Sequence, residues 1–117
     1  WATSIVVGPG IGINSDSERL LNLVIAQAKA PLLIDADGLN ILASMNHPKE
    51  EGVLLHENIV NKLPKETILT PHIKELSRLI NMSVEEIASN LIKTADKCTN
   101  NNELIFVIKD PRTIAAY

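Results

Sequence analysis

The sequence predicts an α/β fold in which a parallel sheet is covered by helices on both faces. Short runs that are apolar throughout alternate along the 117 residues with longer amphipathic segments, which is typical of strands buried on both faces. Glycine or polar residues follow each apolar run at the point where a parallel strand would end. The predicted strands are residues 4–8, 31–35, 67–69 and 104–108, and residues 113–116 are also strand-like.

The first two helices are predicted from residue spacing. Residues 15–29 place Leu20, Leu21 and further apolar side chains on one helical face. Ser15 and Glu18 at the start of this segment have the spacing of a capping box. A shorter helix is predicted over residues 38–44.

The second half of the chain predicts further helices. We expect Thr70 to cap a helix with Pro71 at its first position, where the missing N–H of proline costs nothing. Ser83 and Glu86 have capping-box spacing and precede an apolar face that continues to the polar residues 99–102. A helical turn is expected at residues 57–63. The long apolar face consists of Ile87, Leu91, Ala95 and Cys98.

Composition excludes several classes of function. The net charge of −3 is too acidic for an electrostatically driven nucleic-acid binder. An aromatic content of 3% is too low for a surface that stacks on bases. No apolar run approaches the ~20 residues needed to cross a membrane, and no signal peptide is recognisable. The single cysteine, Cys98, excludes an internal disulfide and a multi-cysteine metal site. We therefore expect a cytoplasmic protein without nucleic-acid or membrane partners.

Glycines follow the first predicted strand. Gly8, Gly10 and Gly12 would let a ligand approach the backbone, and free amides in such a turn can hold an anion. A tight turn that needs positive φ explains the same glycines equally well. The spacing differs from the dinucleotide-binding fingerprint, in which the third glycine comes one residue later.

Two acids end the second predicted strand. Asp35 and Asp37 have the spacing to hold Mg²⁺ through water, and an acid at this position also suits a ribose. Aspartate is a preferred helix cap, so capping of the following short helix is the more common reason for such a pair. Taken by themselves, these two residues favour the capping interpretation.

A histidine and an acid stand at the start of the helix after the third strand. His72 and Glu75 are three residues apart and therefore share a helical face. The positive end of the helix dipole favours a neutral imidazole, which is suited to hydrogen bonding. The alternative is simple capping, with both side chains in solvent.

The other candidate residues have weaker signals. Lys109 and Arg112 follow the fourth strand and offer cations to phosphates, although on this evidence alone a charged β-turn is the better explanation. His47 and His56 lie in a polar stretch where nothing completes a metal set, so we expect them at the surface. Cys98 lies on an apolar helical face and is expected in the core rather than as a nucleophile.

Taken in order, four stretches resemble the NAD(P)H-hydrate dehydratases, carbohydrate-kinase-like domains with a ribokinase-like fold. They are VGPGIG at 7–12, PLLIDADGLN at 31–40, ILTPHIKE at 68–75, and FVIK at 106–109 with Thr113. The resemblance runs from about Ser4 to the last residue and favours ligand binding at these turns. It implies repair of damaged nicotinamide cofactors. The hydroxyl of NAD(P)H hydrate is phosphorylated at the expense of ADP or ATP, and phosphate is then eliminated to restore the dihydronicotinamide.

The resemblance also implies roles for individual residues. Gly8, Gly10 and Gly12 would contact the hydrated nucleotide, while Asp35 and Asn40 would shape the pocket beneath the phosphates. Mg²⁺ would neutralise charge on the transferred group. The other substrate-binding residues would be His72, Ile73, Lys74, Glu75, Leu76, Ser77 and Arg78. The residues that would bind ADP or ATP are Lys109, Asp110, Pro111, Arg112 and Thr113.

Two departures from the family pattern qualify these roles. Asp110 stands where the family usually has glycine, and a carboxylate beside phosphates is unfavourable unless it points away or meets Mg²⁺. The family's Gly-Ser-Gly-Asp motif, which supplies an anion hole and the catalytic aspartate, is not among residues 1–117. The first strands of the family fold are also not recognisable. We therefore expect residues 1–117 to be the middle of one ribokinase-like domain, inactive alone, with the catalytic aspartate beyond Tyr117.

Two other functions are compatible with these motifs. One is a small-molecule kinase of the same superfamily, for example one acting on a thiamin precursor, although the Thr-Pro-His stretch favours the dehydratase. The other, from a different class, is a nucleotide-binding module without a catalytic base. Because members of the family often assemble, the resemblance also implies a homo-oligomer.

Overall fold

The computed structural model of the chain describes residues 4–45, 61–99, 103–109 and 114–117, and within these it contains a five-stranded sheet. The strand order follows the chain, β1-β2-β3-β4-β5. The first four strands are parallel and β5 is antiparallel to β4. This arrangement confirms the predicted α/β class. The strands are β1 (Ile5–Val7), β2 (Leu32–Ile34), β3 (Ile68–Leu69), β4 (Ile105–Ile108) and β5 (Ile114–Ala116).

Helices lie between the parallel strands in the chain. No helix in the described part of the chain is both long and apolar enough to span a membrane. The predicted turns at 57–63 and 99–102 fall largely outside the described residues, as do His47 and His56. The helices are α1 (Ser15–Gln27), α2 (Asp37–Met45), α3 (Ile73–Ile80), α4 (Val84–Ser89) and α5 (Leu91–Thr99).

The predicted capping box at the start of α1 is wrong, because the N-cap is the preceding residue. Asn14 adopts an extended conformation, and its Oδ1 accepts a hydrogen bond from the N–H of Ser17 at 2.9 Å. Asparagine is among the best N-cap residues, so it outcompetes Ser15 for this position. Leu20, expected on the apolar face, is 45% exposed, and the buried residues of α1 are Ser17, Leu21 and Ile25.

The predicted start of α3 is also wrong, since His72 and not Thr70 is the N-cap. Thr70 continues the extended backbone of β3, and its N–H donates to the Ile34 carbonyl oxygen at 3.2 Å. Because that amide is already part of the sheet, the helix begins only at Ile73. Pro71 therefore precedes the cap and does not occupy the first helical position.

The long helix expected after Ser83 is divided in two at Asn90. The Ser83 hydroxyl caps α4 and accepts from the N–H of Glu86 at 3.1 Å, which is one of the two hydrogen bonds of the predicted capping box. Asn90 then leaves the helical conformation, with φ −138° and ψ 48°, and α5 begins at Leu91. The predicted apolar face survives this break, since its four members, Ile87, Leu91, Ala95 and Cys98, are all buried.

The two faces of the sheet differ in burial. Val7, Ile34, Leu69 and Phe106 are in register across the four parallel strands and are 0–6% exposed. The neighbouring register row points to the opposite face, because side chains alternate along a strand. That row is only partly covered, and its member on β1, Val6, is 63% exposed. The core therefore lies mainly on one side of the sheet.

Candidate functional site

The ends of the four parallel strands bring the predicted site residues to one edge of the sheet. Gly8, Asp35 and Thr70 directly follow β1, β2 and β3, whose pairing is parallel and in register. The three residues therefore share one edge of the sheet. β4 extends further, so that Lys109 forms a parallel bridge with His72 and donates its backbone N–H to the Pro71 carbonyl oxygen at 2.8 Å.

The glycine turn, residues 8–12, is in backbone contact with the turn that follows β2. The Asp35 N–H donates to the Val7 carbonyl oxygen at 3.1 Å. Gly8 has φ +128°, and a Cβ built there would lie 1.7 Å from the Asp35 carbonyl oxygen. A Cβ at Gly38 would lie 3.2 Å from the Gly8 Cα. Glycine is therefore required where the two turns touch.

The outer side of the glycine turn is open. Gly10 and Gly12 have φ +74° and +78°, so both adopt the left-handed conformation that glycine favours. No described heavy atom lies within 4 Å of the position that a Cβ of Gly10 would take. The turn thus combines a conformational requirement for glycine with an accessible backbone surface.

One peptide group in the glycine turn is held from both sides. The carbonyl oxygen of Ile11 accepts from the Ser17 hydroxyl at 2.6 Å. The N–H of Gly12, in the same peptide group, donates to Asp37 Oδ2 at 3.0 Å. Sequence reasoning missed Ser17, although a polar residue four positions before Leu21 on a buried helical face was a usable signal.

His72 and Glu75 form a reciprocal helix cap. His72 Nδ1 accepts from the Glu75 N–H at 3.3 Å, and Glu75 Oε1 accepts from the His72 N–H at 3.1 Å. The other ring nitrogen, His72 Nε2, lies 3.5 Å from Glu75 Oε1, so both nitrogens of the ring lie near Glu75. The Glu75 side chain is buried, whereas the His72 ring is 49% exposed and can reach a ligand.

Asp35 and Lys109 join the ends of β2 and β4. Lys109 Nζ lies 3.0 Å from Asp35 Oδ1, and the two side chains are 45% and 27% exposed. Burial raises the pKa of Asp35, but hydrogen bonds from Lys109, the Ala36 N–H and the Thr70 hydroxyl, together with the lysine charge, lower that pKa overall. Asp35 is therefore a carboxylate that pairs with the lysine cation.

A cleft of about 470 Å³ lies between α2, α3 and the end of the glycine turn. On its wall, an Arg78 guanidinium nitrogen donates to Asn40 Oδ1 at 2.9 Å. The structure thus brings together Arg78, which the resemblance assigns to substrate binding, and Asn40, which it assigns to the pocket beneath the phosphates. The cleft is lined by Ile13, Asn40, Ala43, Ser44 and Arg78.

Other residues of α3 are placed differently. Leu76 is fully buried in the hydrophobic core and does not reach the strand-end edge. Ser77 is half-buried and its hydroxyl donates to the Met82 carbonyl oxygen at 2.5 Å, at the far end of the helix. Ile73 is half-buried and Lys74 is exposed. Residues 110–113 lie outside the described part of the chain.

The described residues contain no group of three or more His, Cys, Asp or Glu side chains arranged to hold a metal ion. Asp35 and Asp37, which have the spacing to hold Mg²⁺ through water, each accept a hydrogen bond from the protein. A larger hollow of about 670 Å³ lies at the junction of α4 and α5 and contains none of the site residues.

Comparison with known proteins covers the whole chain. A family model described as NAD(P)H-hydrate dehydratase matches residues 1–117. The bifunctional NAD(P)H-hydrate repair enzyme of Leishmania braziliensis is 29% identical over 118 residues, covering 97% of this chain and 21% of that protein. The bifunctional NAD(P)H-hydrate repair enzyme Nnr of Escherichia coli is 31% identical over 116 residues. That match covers 99% of this chain and 19% of the E. coli protein. The chain thus spans about a fifth of the length of these curated relatives.

A solved structure shares the fold. The ADP/ATP-dependent NAD(P)H-hydrate dehydratase from Bacillus subtilis, co-crystallised with ATP/Mg²⁺, has a TM-score of 0.71 at 23% identity. The match covers 98% of this chain and 35% of that one. The family match over the full length, together with this fold, establishes that the chain belongs to the carbohydrate-kinase-like family of NAD(P)H-hydrate dehydratases.

Proposed function

We propose that the complete gene product containing this chain dehydrates NAD(P)H hydrate to NAD(P)H at the expense of ADP or ATP. The observation that carries the proposal is the meeting of the glycine turn, Asp35, His72 and Lys109 at one sheet edge, in a chain of the dehydratase family. Ligands of parallel α/β sheets bind at this edge. Residues 1–117 would form part of one such domain.

The two ligands would occupy neighbouring parts of the edge. The hydrated nucleotide would lie against the open side of Gly10 and extend toward the cleft of Asn40 and Arg78, with the half-exposed His72 ring as a polar contact. The nucleoside phosphate would lie at the end of β4, where the half-exposed ammonium of Lys109 is available to phosphate oxygens.

The proposed reaction has two stages. First, the hydroxyl oxygen of the hydrated ring takes the terminal phosphoryl group of ADP or ATP, losing its proton and releasing the shortened nucleotide. Then the ring carbon–oxygen bond breaks, phosphate leaves, and the adjacent carbon loses a proton to restore the dihydronicotinamide. The described residues would bind and orient the reactants. Mg²⁺ would supply charge neutralisation, and because Asp35 and Asp37 are already paired it would be bound mainly by the nucleotide phosphates.

Two further properties belong to the same proposal. The complete protein would be cytoplasmic, consistent with a single cysteine that is buried and reduced. It would assemble as a homo-oligomer, as the family resemblance implies. Size-exclusion chromatography with light scattering would test this assembly.

The test incubates the complete gene product with purified NADH hydrate, ADP or ATP, and Mg²⁺. We expect the near-ultraviolet absorbance of the dihydronicotinamide to return, with one inorganic phosphate released for each NADH formed. Omission of the nucleotide is the control and should abolish both signals. Nucleotide binding without turnover would instead indicate a binding module. Phosphorylation of a thiamin precursor, with no NADH formed, would indicate the kinase alternative.

A further inference from the structure

The peptide group between Ile11 and Gly12 is clamped by side chains of two different helices. Ser17, in the first turn of α1, donates to its carbonyl oxygen at 2.6 Å, and Asp37, in the first turn of α2, accepts from its N–H at 3.0 Å. The carbonyl and the N–H of a trans peptide point in opposite directions. Together the two bonds therefore fix the orientation of the whole peptide plane.

Such a clamp matters because the turn has little stiffness of its own. Gly8, Gly10 and Gly12 all have positive φ, and glycine loses more conformational freedom on ordering than any other residue. Gly8 is fixed by its close contact with Asp35, but no described atom packs against the free side of Gly10. The Ile11 side chain packs against the core and its N–H donates to the Gly8 carbonyl oxygen at 3.3 Å, but only the two bonds to the Ile11–Gly12 peptide join the backbone of the outer half of the turn to α1 and α2 among the described residues.

The two clamping side chains are themselves well anchored. Ser17 is 5% exposed, and its hydroxyl also lies 3.1 Å from Asn14 Oδ1, the cap of α1. Asp37 is half-buried and is followed by Gly38, which touches the Gly8 backbone. The hydrogen bond from Gly12 to Asp37 joins residues 25 positions apart, so it links two separate βα units.

We propose that Ser17 and Asp37 are positioning residues that hold the glycine turn in the shape that accepts the hydrated nucleotide. The inference rests on the proposed function for the identity of this ligand. It assigns to Asp37 a structural acceptor role at the turn, in place of metal or ribose binding. It also implies that the Gly12 N–H is not available to an anion.

The test compares Asp37→Ala, Asp37→Asn and Ser17→Ala in the complete gene product. Asparagine keeps a side-chain oxygen that can accept from Gly12, whereas alanine removes it. Asp16→Ala is the matched control, because Asp16 is also an acid in the first turn of a helix but is 89% exposed and pairs with Arg19 at the surface. Calorimetric titration measures NADH hydrate and ADP separately, and hydrogen exchange measures the amides of residues 8–14.

We expect Asp37→Ala and Ser17→Ala to weaken hydrate binding by roughly tenfold, the effect of one lost hydrogen bond, with ADP affinity changed less than about twofold. Exchange in the glycine turn should become faster in both variants. Asp37→Asn should restore most of the affinity and protection, and Asp16→Ala should change neither.

The outcomes separate this inference from the proposed function. If wild-type protein fails to bind NADH hydrate, the proposed function is wrong, while the exchange data still decide whether the clamp exists. Unchanged exchange in Asp37→Ala would overturn the inference. Equal losses of hydrate and ADP affinity would also overturn it, because they would indicate general destabilisation.

Discussion

Lys109 Nζ and Asp35 Oδ1 lie 3.0 Å apart although the residues are 74 positions apart in the chain. The ion pair spans the end of β3, since its members follow β2 and β4. In the proposed enzyme the same ammonium faces nucleotide phosphates. Asp35 therefore holds the lysine at the sheet edge and competes with phosphate for its charge.

The ion pair predicts a specific pH dependence of stability. The pKa of Asp35 is lowered in the folded state from its ordinary value of 3.8. Its contribution is therefore fully present above that value and is lost as the pH falls through the lower folded pKa. We measure the free energy of unfolding by urea denaturation between about pH 7 and pH 2. We expect it to fall less steeply with decreasing pH in Asp35→Asn than in wild type. Because both side chains are partly exposed, the loss at neutral pH should be no more than about 1 kcal/mol.

The control for this prediction is Asp16→Asn, which removes an exposed surface pair with Arg19. It should leave the acid side of the curve as in wild type. An Asp35→Asn curve parallel to that of wild type below pH 4 would show that the pair does not stabilise the fold through ionisation.

His72 should have separable roles in folding and in binding. His72→Ala removes the cap of α3 and should lower the free energy of unfolding by about 0.5–2 kcal/mol. His72→Asn keeps a good capping acceptor and should be nearly as stable as wild type, but it lacks the half-exposed imidazole ring. Both variants should raise the dissociation constant of NADH hydrate roughly five- to thirtyfold in calorimetric titration.

ADP affinity is the internal control for His72. The contact between this segment and Lys109 is made by the Pro71 carbonyl oxygen, which His72→Asn leaves in place. ADP binding should therefore change little in His72→Asn. If His72→Asn binds hydrate as tightly as wild type, then the histidine serves only as a cap.

The glycines of the turn should differ sharply in their tolerance of alanine. A methyl group at Gly8 would lie 1.7 Å from the Asp35 carbonyl oxygen, where only backbone movement could relieve the clash. We expect Gly8→Ala to cost on the order of 4 kcal/mol or to prevent folding. Gly10→Ala meets no atom and should cost only about 1–2 kcal/mol, the penalty for the left-handed conformation. Thermal denaturation of the two variants distinguishes these costs, and equal costs would contradict the contact between the two turns.

Cys98 should be unreactive in the native protein. Its side chain is 0% exposed, and burial raises its pKa to about 12, so almost no thiolate forms at neutral pH. We expect a thiol reagent at pH 8 to modify the native protein only as fast as the structure opens, and one equivalent to react promptly in denaturant. Rapid modification of the native protein would place this helix outside the packed core.

The four parallel strands were predictable because each is a continuous apolar run with a turn or polar residue after it. The helix starts were less predictable, because a cap is decided by competition between adjacent residues. Asn14, not Ser15, is the N-cap of α1. Thr70 cannot cap α3 because its N–H donates to the Ile34 carbonyl oxygen and so extends the sheet. Likewise, the break at Asn90 leaves the apolar periodicity unchanged, so periodicity could not reveal it.

Within the site, sequence indicated which turns meet but not how they are joined. The resemblance assigned Asp35 to the pocket beneath the phosphates. Its pairing with Lys109, however, depends on the exact register of β2, β3 and β4. The acceptor role of Asp37 and the burial of Ser17 depend on how α1 and α2 pack beside the glycine turn. These are long-range relationships that no local pattern encodes.

The five described strands lie in the sheet in the same order as in the chain, and this has a consequence for biosynthesis. Among the described residues, each strand from β2 to β5 pairs with the strand before it in the chain, and none of the five lies between two strands that both precede it. During synthesis the sheet can therefore lengthen sideways, one strand at a time, with every new edge serving as the template for the next strand. Each parallel pairing nevertheless joins residues far apart in the chain, such as Leu33 and Ile68, so every step must close a long crossover before its contacts form, and the newest apolar edge stays unpaired during that time.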